Sequence, residues 1–353
     1  MTFCGALLRW YQENKRDLPW RSEDPDPYRI WVSEIMLQQT RVEAVRGYYT
    51  RFLGAFPDVR SLAETDTDTV LKYWEGLGYY SRAANLQAGA RQVMEEYGGK
   101  IPDNAAELRK IKGIGDYTAG AVASIAFGEK CAAIDGNLLR IFARLTAYTE
   151  NIRTQKAKKA AESYFLGQMP AEGPPNVYGD INQALMDLGA EICVPSRLNQ
   201  RPDCSQCPLA GSCRAYRAGM ETALPVMPEK KNRRIEERTV FVIRDNERFV
   251  LRQRPAKGLL AGLYEYPNTE GRLERKEALR YVETLGFSPV RIMELPDAAH
   301  IFSHVEWHMK GYAVWVDELS PEKAGKNGYF TASEEEISRK YSIPSAFGAY
   351  RAV

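Results

Sequence analysis

A chain of 353 residues with 44% hydrophobic and 27% charged content has the make-up of a soluble globular protein, and its length predicts two domains. A formal charge of +2 is too small to advertise nucleic-acid binding, although a basic face can sit inside a balanced total, so net charge alone decides nothing. The opening Met1 to Trp10 has no basic start followed by a long apolar run, so neither a signal peptide nor a membrane span is expected, and a cytoplasmic location is.

From Leu7 to about Arg217 the apolar residues recur at helical spacing, as in the stripe Leu86, Ala90, Val93, Met94 and Tyr97 that Gly98-Gly99 stops. The first chemically suggestive element is Trp31-Val32-Ser33-Glu34-Ile35-Met36-Leu37-Gln38-Gln39-Thr40-Arg41, one acid beside an apolar run that ends in two amides. Glu34 reads either as an exposed helix residue or as an acid whose apolar neighbours raise its pKa; an unperturbed glutamate is almost wholly ionised at neutral pH. Next, Lys112-Gly113-Ile114-Gly115 makes a tight turn before the small-residue helix Asp116-Tyr117-Thr118-Ala119-Gly120. Backbone N–H groups at such a turn can hold a phosphate without reading sequence, and the alternative is an ordinary helical corner. Ala132-Ala133-Ile134-Asp135-Gly136-Asn137 then brings an apolar approach to Asp135, which is an N-cap, a catalytic acid, or both.

Four of the six cysteines follow as C-x10-C-x2-C-x5-C, namely Cys193, Cys204, Cys207 and Cys213. Four thiolates so close in sequence point to a metal centre rather than disulfides in an intracellular chain; spacing alone does not choose between zinc and iron–sulfur. Cys4 and Cys131 are left as free thiols. Around Gly219 to Arg238 the periodicity fails, prolines appear at 225 and 228, and Glu229 to Arg234 is a charged run, which together read as a linker. Beyond it Thr239–Ile243, Phe249–Arg254 and Tyr312–Val316 read as strands and Glu277–Leu285 as a helix, an α+β domain. His300, His304 and His308 recur every four residues, but Val305 to Ala313 alternates as a strand does, so a helical metal face is not expected.

Taken together, Asp17-Leu18-Pro19-Trp20-Arg21, Ser33–Thr40, Gly76-Leu77-Gly78-Tyr79-Tyr80-Ser81-Arg82, the Gly113/Gly115 hairpin, Asp135-Gly136-Asn137 and the cysteine run resemble the adenine DNA glycosylase (MutY) family of the helix-hairpin-helix, or endonuclease III, superfamily. The resemblance covers nearly the whole chain. It implies an all-α glycosylase domain over 1–218 with a [4Fe–4S] loop at 193–213, a linker over 219–237 and a Nudix-like 8-oxoguanine recognition domain over 238–353. Its first cysteine gap is longer than is usual there.

The family's chemistry implies roles for particular residues. Glu34 would protonate N7 of a flipped-out adenine and Asp135 would stabilise the oxocarbenium-like sugar, with Tyr117 and Asn137 orienting the acids. Tyr117 stands where bifunctional relatives carry a lysine nucleophile; a phenol forms no Schiff base, so hydrolysis without strand cleavage is expected. Gln38, Gln39, Thr40, Leu77, Gly78 and Tyr79 would contact DNA beside Gly113 and Gly115. Trp20, Arg21 and Gln183 would line the adenine pocket, and Phe302, Ser303 and His304 would probe 8-oxoguanine. After Gly271 only Glu277 and Glu283 match the acidic box of a working Nudix hydrolase, so pyrophosphate hydrolysis is not expected. The implied partner is double-stranded DNA with adenine opposite 8-oxoguanine, met by a monomer without a membrane.

Overall fold

The structure is a computed structural model that describes residues 2–197, 200–228, 232–319, 325 and 328–351. Lys230 and Lys231 of the charged run, with Glu229, lie outside the described residues, as do Leu198 and Asn199 of the long cysteine gap. The chain divides into two compact units, Met1–Glu64 with Asn85–Glu229, and Thr65–Ala84 with Lys230–Val353. The short segment 65–84 thus clusters with the C-terminal unit although it lies inside the helical part of the sequence.

In chain order the helices are α1 (Phe3–Asn14), α2 (Pro27–Leu37), α3 (Val42–Ala55), α4 (Val59–Glu64), α5 (Thr67–Tyr73), α6 (Ser81–Glu96), α7 (Ala105–Leu108), α8 (Asp116–Phe127), α9 (Gly136–Thr146), α10 (Gln155–Gln168), α11 (Val177–Glu191) and α12 (Arg214–Arg217). Local chemistry fixes several starts. Asp26 caps α2 by accepting from Arg29 N, with Pro27 at the first helical position where its missing N–H costs nothing. Helix α6, which carries the expected stripe, ends at Glu96, two residues before Gly98, and Gly98 and Gly99 are both at positive φ.

The helical unit is organised around α8, which is buried from Thr118 to Ser124 and packs against α2, α7 and α11. Small side chains on α8 allow that crowding. A separate cluster, including Leu7, Leu138, Phe142, Phe165 and Leu185, joins α1, α9, α10 and α11. Burying an aliphatic or aromatic side chain contributes about 1.5–3 kcal/mol, which is why these faces rather than helix propensity hold the unit.

In the C-terminal unit the described residues form a seven-stranded mixed sheet, β1 (Arg234–Arg244), β2 (Arg248–Gln253), β3 (Tyr264–Glu265), β4 (Asn268–Glu270), β5 (Pro289–Ile301), β6 (Val305–Val316) and β7 (Tyr329–Ser333). The order is β3-β2-β1-β6-β5, with β4 also on β1 and β7 on β2; only β1 and β6 run parallel. Both faces are covered. Val240 and Val242 face one cluster with Trp307 and Phe347, whereas Phe241 and Ile243 face another with Ala278 and Val282 of α13 (Arg275–Thr284). That double burial explains the unbroken apolar run in β1. Glu277 is engaged in the capping box that starts α13, its side chain accepting from Glu274 N. The three histidines fall on β5, the turn after it and β6, as the alternation required.

Candidate active site

A cavity of about 190 Å³ in the helical unit collects residues far apart in sequence: Trp20 and Arg21 before α2, Glu34 on α2, Tyr117 on α8, Asp135 and Asn137 at the start of α9, and Gln183 on α11. Glu34 is only 5% exposed because its turn of α2 packs on α8. The Tyr117 hydroxyl donates to its Oε2 at 2.5 Å. Burial pushes the carboxyl up to about 7; the Tyr117 bond opposes that, the nearby Asp135 adds to it, and Arg21 opposes it. The phenol of Tyr117 is itself raised well above the usual range, by burial first and by the neighbouring carboxylates.

Asp135 resolves the choice left open by the sequence as far as its local role goes. It is the N-cap of α9, with Oδ1 accepting from Leu138 N at 2.7 Å and Oδ2 accepting from Asn137 Nδ2 at 2.9 Å. It also lines the cavity, so capping fixes a carboxylate that remains available to it. Burial raises its pKa and the bonds from Leu138 and Asn137 counter this. The approach to Asp135 is pinned by Asn182 of α11, fully buried, which accepts from Ala133 N at 3.0 Å and donates to Cys131 O at 2.9 Å. Asn137 is braced by Arg140, whose Nη2 donates to Asn137 Oδ1 at 2.8 Å and Gly189 O at 2.7 Å. At Gly189 an added Cβ would stand 2.6 Å from Asn137 Cβ, so glycine lets α11 approach this residue.

The hairpin before α8 has Gly113 at φ +85°, and a Cβ there would meet Asn85 Cβ at 2.9 Å. Gly115 is the N-cap of α8 and offers no side chain to its amides. Gln38 donates to Thr118 Oγ1 at 3.4 Å, and Thr40 lines the cavity. Gln39 is exposed and held at φ +59°, an uncommon conformation for a side chain of this size. Trp20 packs edge-on against Tyr49, with ring centroids 5.4 Å apart.

Cys193, Cys204, Cys207 and Cys213 line a second cavity of the same unit, walled otherwise by Ile141, Leu145 and Leu188 among others. Among the described residues no three His, Cys, Asp or Glu side chains converge as ligands of a single ion. Four soft sulfurs around one apolar space nevertheless fit a thiolate-bound cluster. Burial pushes Cys204 up to about 11 and Cys207 to about 12, so ligation rather than solvent would have to deprotonate them. Buried Arg144 donates to Cys193 Sγ at 3.2 Å and to Val194 O at 2.9 Å. Arg140 Nε donates to Cys193 O at 2.7 Å, tying the loop to α9.

In the C-terminal unit the turn Gly76–Tyr79 has positive φ at Gly76, Gly78 and Tyr79. The Arg82 guanidinium donates to Gly78 O at 3.1 Å and lies 5.5 Å from the Tyr79 ring. Leu77 is buried, whereas Tyr79 is 45% exposed. The Tyr79 hydroxyl is 3.3 Å from Ser303 Oγ, joining two motifs over 200 residues apart in sequence. Phe302 packs edge-on against Trp307, and Ser303 and His304 are exposed at the turn into β6.

Sequence reasoning missed Arg16 and Asp187. Arg16 lines the cavity that holds Glu34, and Asp187 on α11 binds both Arg16 and Arg21. The available signal was an acid within the apolar run Ala184-Leu185-Met186-Asp187-Leu188, which requires a buried partner.

Comparison with known proteins carries this geometry to a family. Residues 32–165 match the HhH-GPD superfamily of base excision DNA repair proteins, and residues 239–351 match the NUDIX domain. Adenine DNA glycosylase of Mus musculus is 35% identical over 94% of this chain and 74% of its own length; that of Homo sapiens is 34% identical over 95% and 71%. The chain belongs to the adenine DNA glycosylase family. A Buchnera aphidicola adenine DNA glycosylase is 30% identical over 91% of this chain and 88% of its own. Among solved structures, a thermostable thymine-DNA glycosylase is 30% identical at TM-score 0.54, covering 61% of this chain and 95% of that one. An endonuclease III–DNA complex, 20% identical at TM-score 0.50 over 62% of this chain and 94% of its own, shares the helical fold. As an adenine DNA glycosylase the chain is a hydrolase acting on N-glycosyl bonds in DNA, in base excision repair, with a helical glycosylase domain and a Nudix-like domain.

Proposed function

We propose that this glycosylase removes adenine paired with 8-oxoguanine, or with guanine, from duplex DNA by general acid catalysis, without cutting the strand. The observation that carries the reading is the contact of Tyr117 with a buried Glu34 in a cavity that Asp135 also lines. A base inside a duplex must be extruded before its glycosidic bond is reached, at a cost of a few kcal/mol. The amides of the Gly113–Gly115 hairpin hold the phosphate backbone; Gln39, with Gln38 and Thr40 beside it in sequence, and Tyr79, with Leu77 and Gly78 beside it, are each assigned to the DNA and to filling the vacated stack. Trp20, Arg21 and Gln183 receive the flipped adenine.

Glu34, with a pKa near 7, delivers its proton to N7 so that adenine departs neutral. Asp135 offsets the positive charge that develops on the sugar, and water completes hydrolysis. Asn137 and Tyr117 hold the two carboxyl groups. With tyrosine at position 117 in place of an amine, no Schiff base forms and the strand stays intact. Cys193, Cys204, Cys207 and Cys213 would hold a [4Fe–4S] cluster, whose contribution is to fix the loop that Arg140 ties to α9. Phe302, Ser303 and His304 of the Nudix-like domain read the oxidised base, whose N7–H and C8 oxygen suit a hydroxyl partner. In this reading a helical domain over 1–218 and a C-terminal domain are joined by a linker from 219 that gives way to β1 at Arg234, short of the expected end at 237, and the chain acts as a monomer in the cytoplasm.

Duplexes bearing adenine opposite 8-oxoguanine, guanine or thymine, incubated with excess protein and with or without borohydride, test the reading. The expected result is fastest release opposite 8-oxoguanine and no trapped protein–DNA adduct. Equal release opposite thymine, or a trapped adduct, would overturn it. Iron and acid-labile sulfide assays on the purified chain test the cluster, and bound zinc without iron would contradict it.

A further inference from the structure

The stretch between α1 and α2 puts two arginines, Arg16 and Arg21, on the wall of the catalytic cavity. Both converge on one carboxylate. Arg16 donates to Asp187 Oδ1 from Nε at 2.8 Å and Nη2 at 2.5 Å, and Arg21 engages both oxygens from Nη1 and Nη2 at 2.7 and 2.9 Å. Asp187 is fully buried. Two guanidinium charges and one carboxylate charge leave this triad with a net charge of +1 (2 − 1). Arg21 also donates to Arg16 O at 3.2 Å and lies 5.5 Å from the Tyr11 ring, so its position is set from three sides.

The charged and titratable groups acting on Glu34 are few. Tyr117 reaches it from α8, Asp135 from the cap of α9, and Arg21 from the segment before α2. Arg16 shares the cavity wall, and Asp187 of α11 stands behind both arginines. Glu191, 3.6 Å from Arg16, is the one other acid paired with the triad among the described residues. The charge of Arg21 favours the ionised form of Glu34, and beside so buried a carboxyl a further uncancelled cation would favour it more.

We infer that Asp187 is a positioning residue for the acid: it clamps Arg21 and cancels one of the two guanidinium charges, so that Glu34 keeps its proton at neutral pH. The inference rests on the reading of Glu34 as general acid. It also accounts for a carboxylate buried in an otherwise apolar stretch of α11, where hydrophobic packing would hold the helix without it. Removing the negative charge raises the triad to +2, whereas removing Arg16 leaves it neutral.

The test is the pH profile of single-turnover adenine release by the full chain, measured for the unmodified protein, Asp187→Asn, Arg16→Gln, the Arg16→Gln/Asp187→Asn double variant and Glu34→Gln. In Asp187→Asn the descending limb moves toward acid by about one pH unit, which makes release about tenfold slower on the alkaline side while the acid plateau is retained. Arg16→Gln moves the limb the other way, and the double variant, again at +1, returns it. If Asp187→Asn does not fold, the shift in Arg16→Gln carries the test. Profiles lowered in height with the limb unmoved would overturn the inference and leave Asp187 a packing residue. Release and its limb persisting in Glu34→Gln would instead overturn the reading of the acid, whatever the other variants do.

Discussion

Glu34 and Asp187 of the helical unit are kept from water, at 5% and 0% exposure, whereas Tyr79 in the Nudix-like unit is 45% exposed and Ser303 and His304 stand at an open turn. The contrast fits the work that the proposed function gives each region. Proton transfer to a base near neutral pH needs a carboxyl held well above its ordinary pKa, and desolvation supplies that shift. Reading a base edge, as proposed for the second region, needs hydrogen-bonding atoms that reach out from a rigid support, and β6 and the turn braced by Arg82 are suited to supply it. Substitutions in the two regions are therefore expected to fail differently, in rate and pH dependence for one and in binding for the other.

The largest effect is expected from Glu34→Gln, which keeps the shape and removes the proton: single-turnover adenine release falls by about 10³-fold, within the span of general acid catalysis. Asp135→Asn preserves a capping oxygen for Leu138 N and loses the anion, so release falls by about 10²–10³-fold with the helix intact by circular dichroism. Retained activity in either variant would break the assignment of chemistry to the buried region.

The same burial has a stability signature. The Glu34 carboxyl is raised from 4.5 to about 7 in the folded chain. Below 4.5 both folded and unfolded chains hold the proton and no penalty exists; as pH rises from 4.5 the unfolded chain gives up a proton that the folded chain keeps, and stability falls until pH has passed through about 7, where the folded chain too carries the charge. Glu34→Gln should therefore have an unfolding free energy about 3 kcal/mol above the parent's at pH values over 7, and match it below pH 4.5. An equal difference at both pH values would show that packing, not charge, separates the two proteins.

Ser303→Ala, by contrast, is expected to leave stability unchanged, because its hydroxyl is exposed. It should weaken binding to a duplex with 8-oxoguanine by about 1 kcal/mol relative to guanine, the worth of one hydrogen bond. Equal weakening for both duplexes would remove Ser303 from base reading.

The sequence was most informative where local chemistry and long-range purpose coincide. The helical stripe ending at Gly98, the alternation of Val305 to Ala313 and the cap at Asp135 each needed only neighbours a few residues away. Glu34 was legible as an acid beside an apolar run, but Tyr117 was legible as its partner only through the family resemblance: it lies 83 residues on, and packing of α2 on α8 makes the contact. Asp187, Arg16 and Asn182 were not read as site residues because their roles depend on which helix faces which. The recruitment of 65–84 to the C-terminal unit was hidden for the same reason, since its bonds run to distant positions: Lys72 donates to Ile337 O at 3.1 Å, and Tyr264 to Asp68 at 2.6 Å.

The central claim, that a buried Glu34 supplies the proton for adenine departure, is tested most directly by single-turnover adenine release across pH, with strand integrity followed before alkali. Release that falls about tenfold per unit above pH 7, is lost in Glu34→Gln and leaves the strand intact is the predicted result. Release independent of pH through that range, or undiminished in Glu34→Gln, would contradict it.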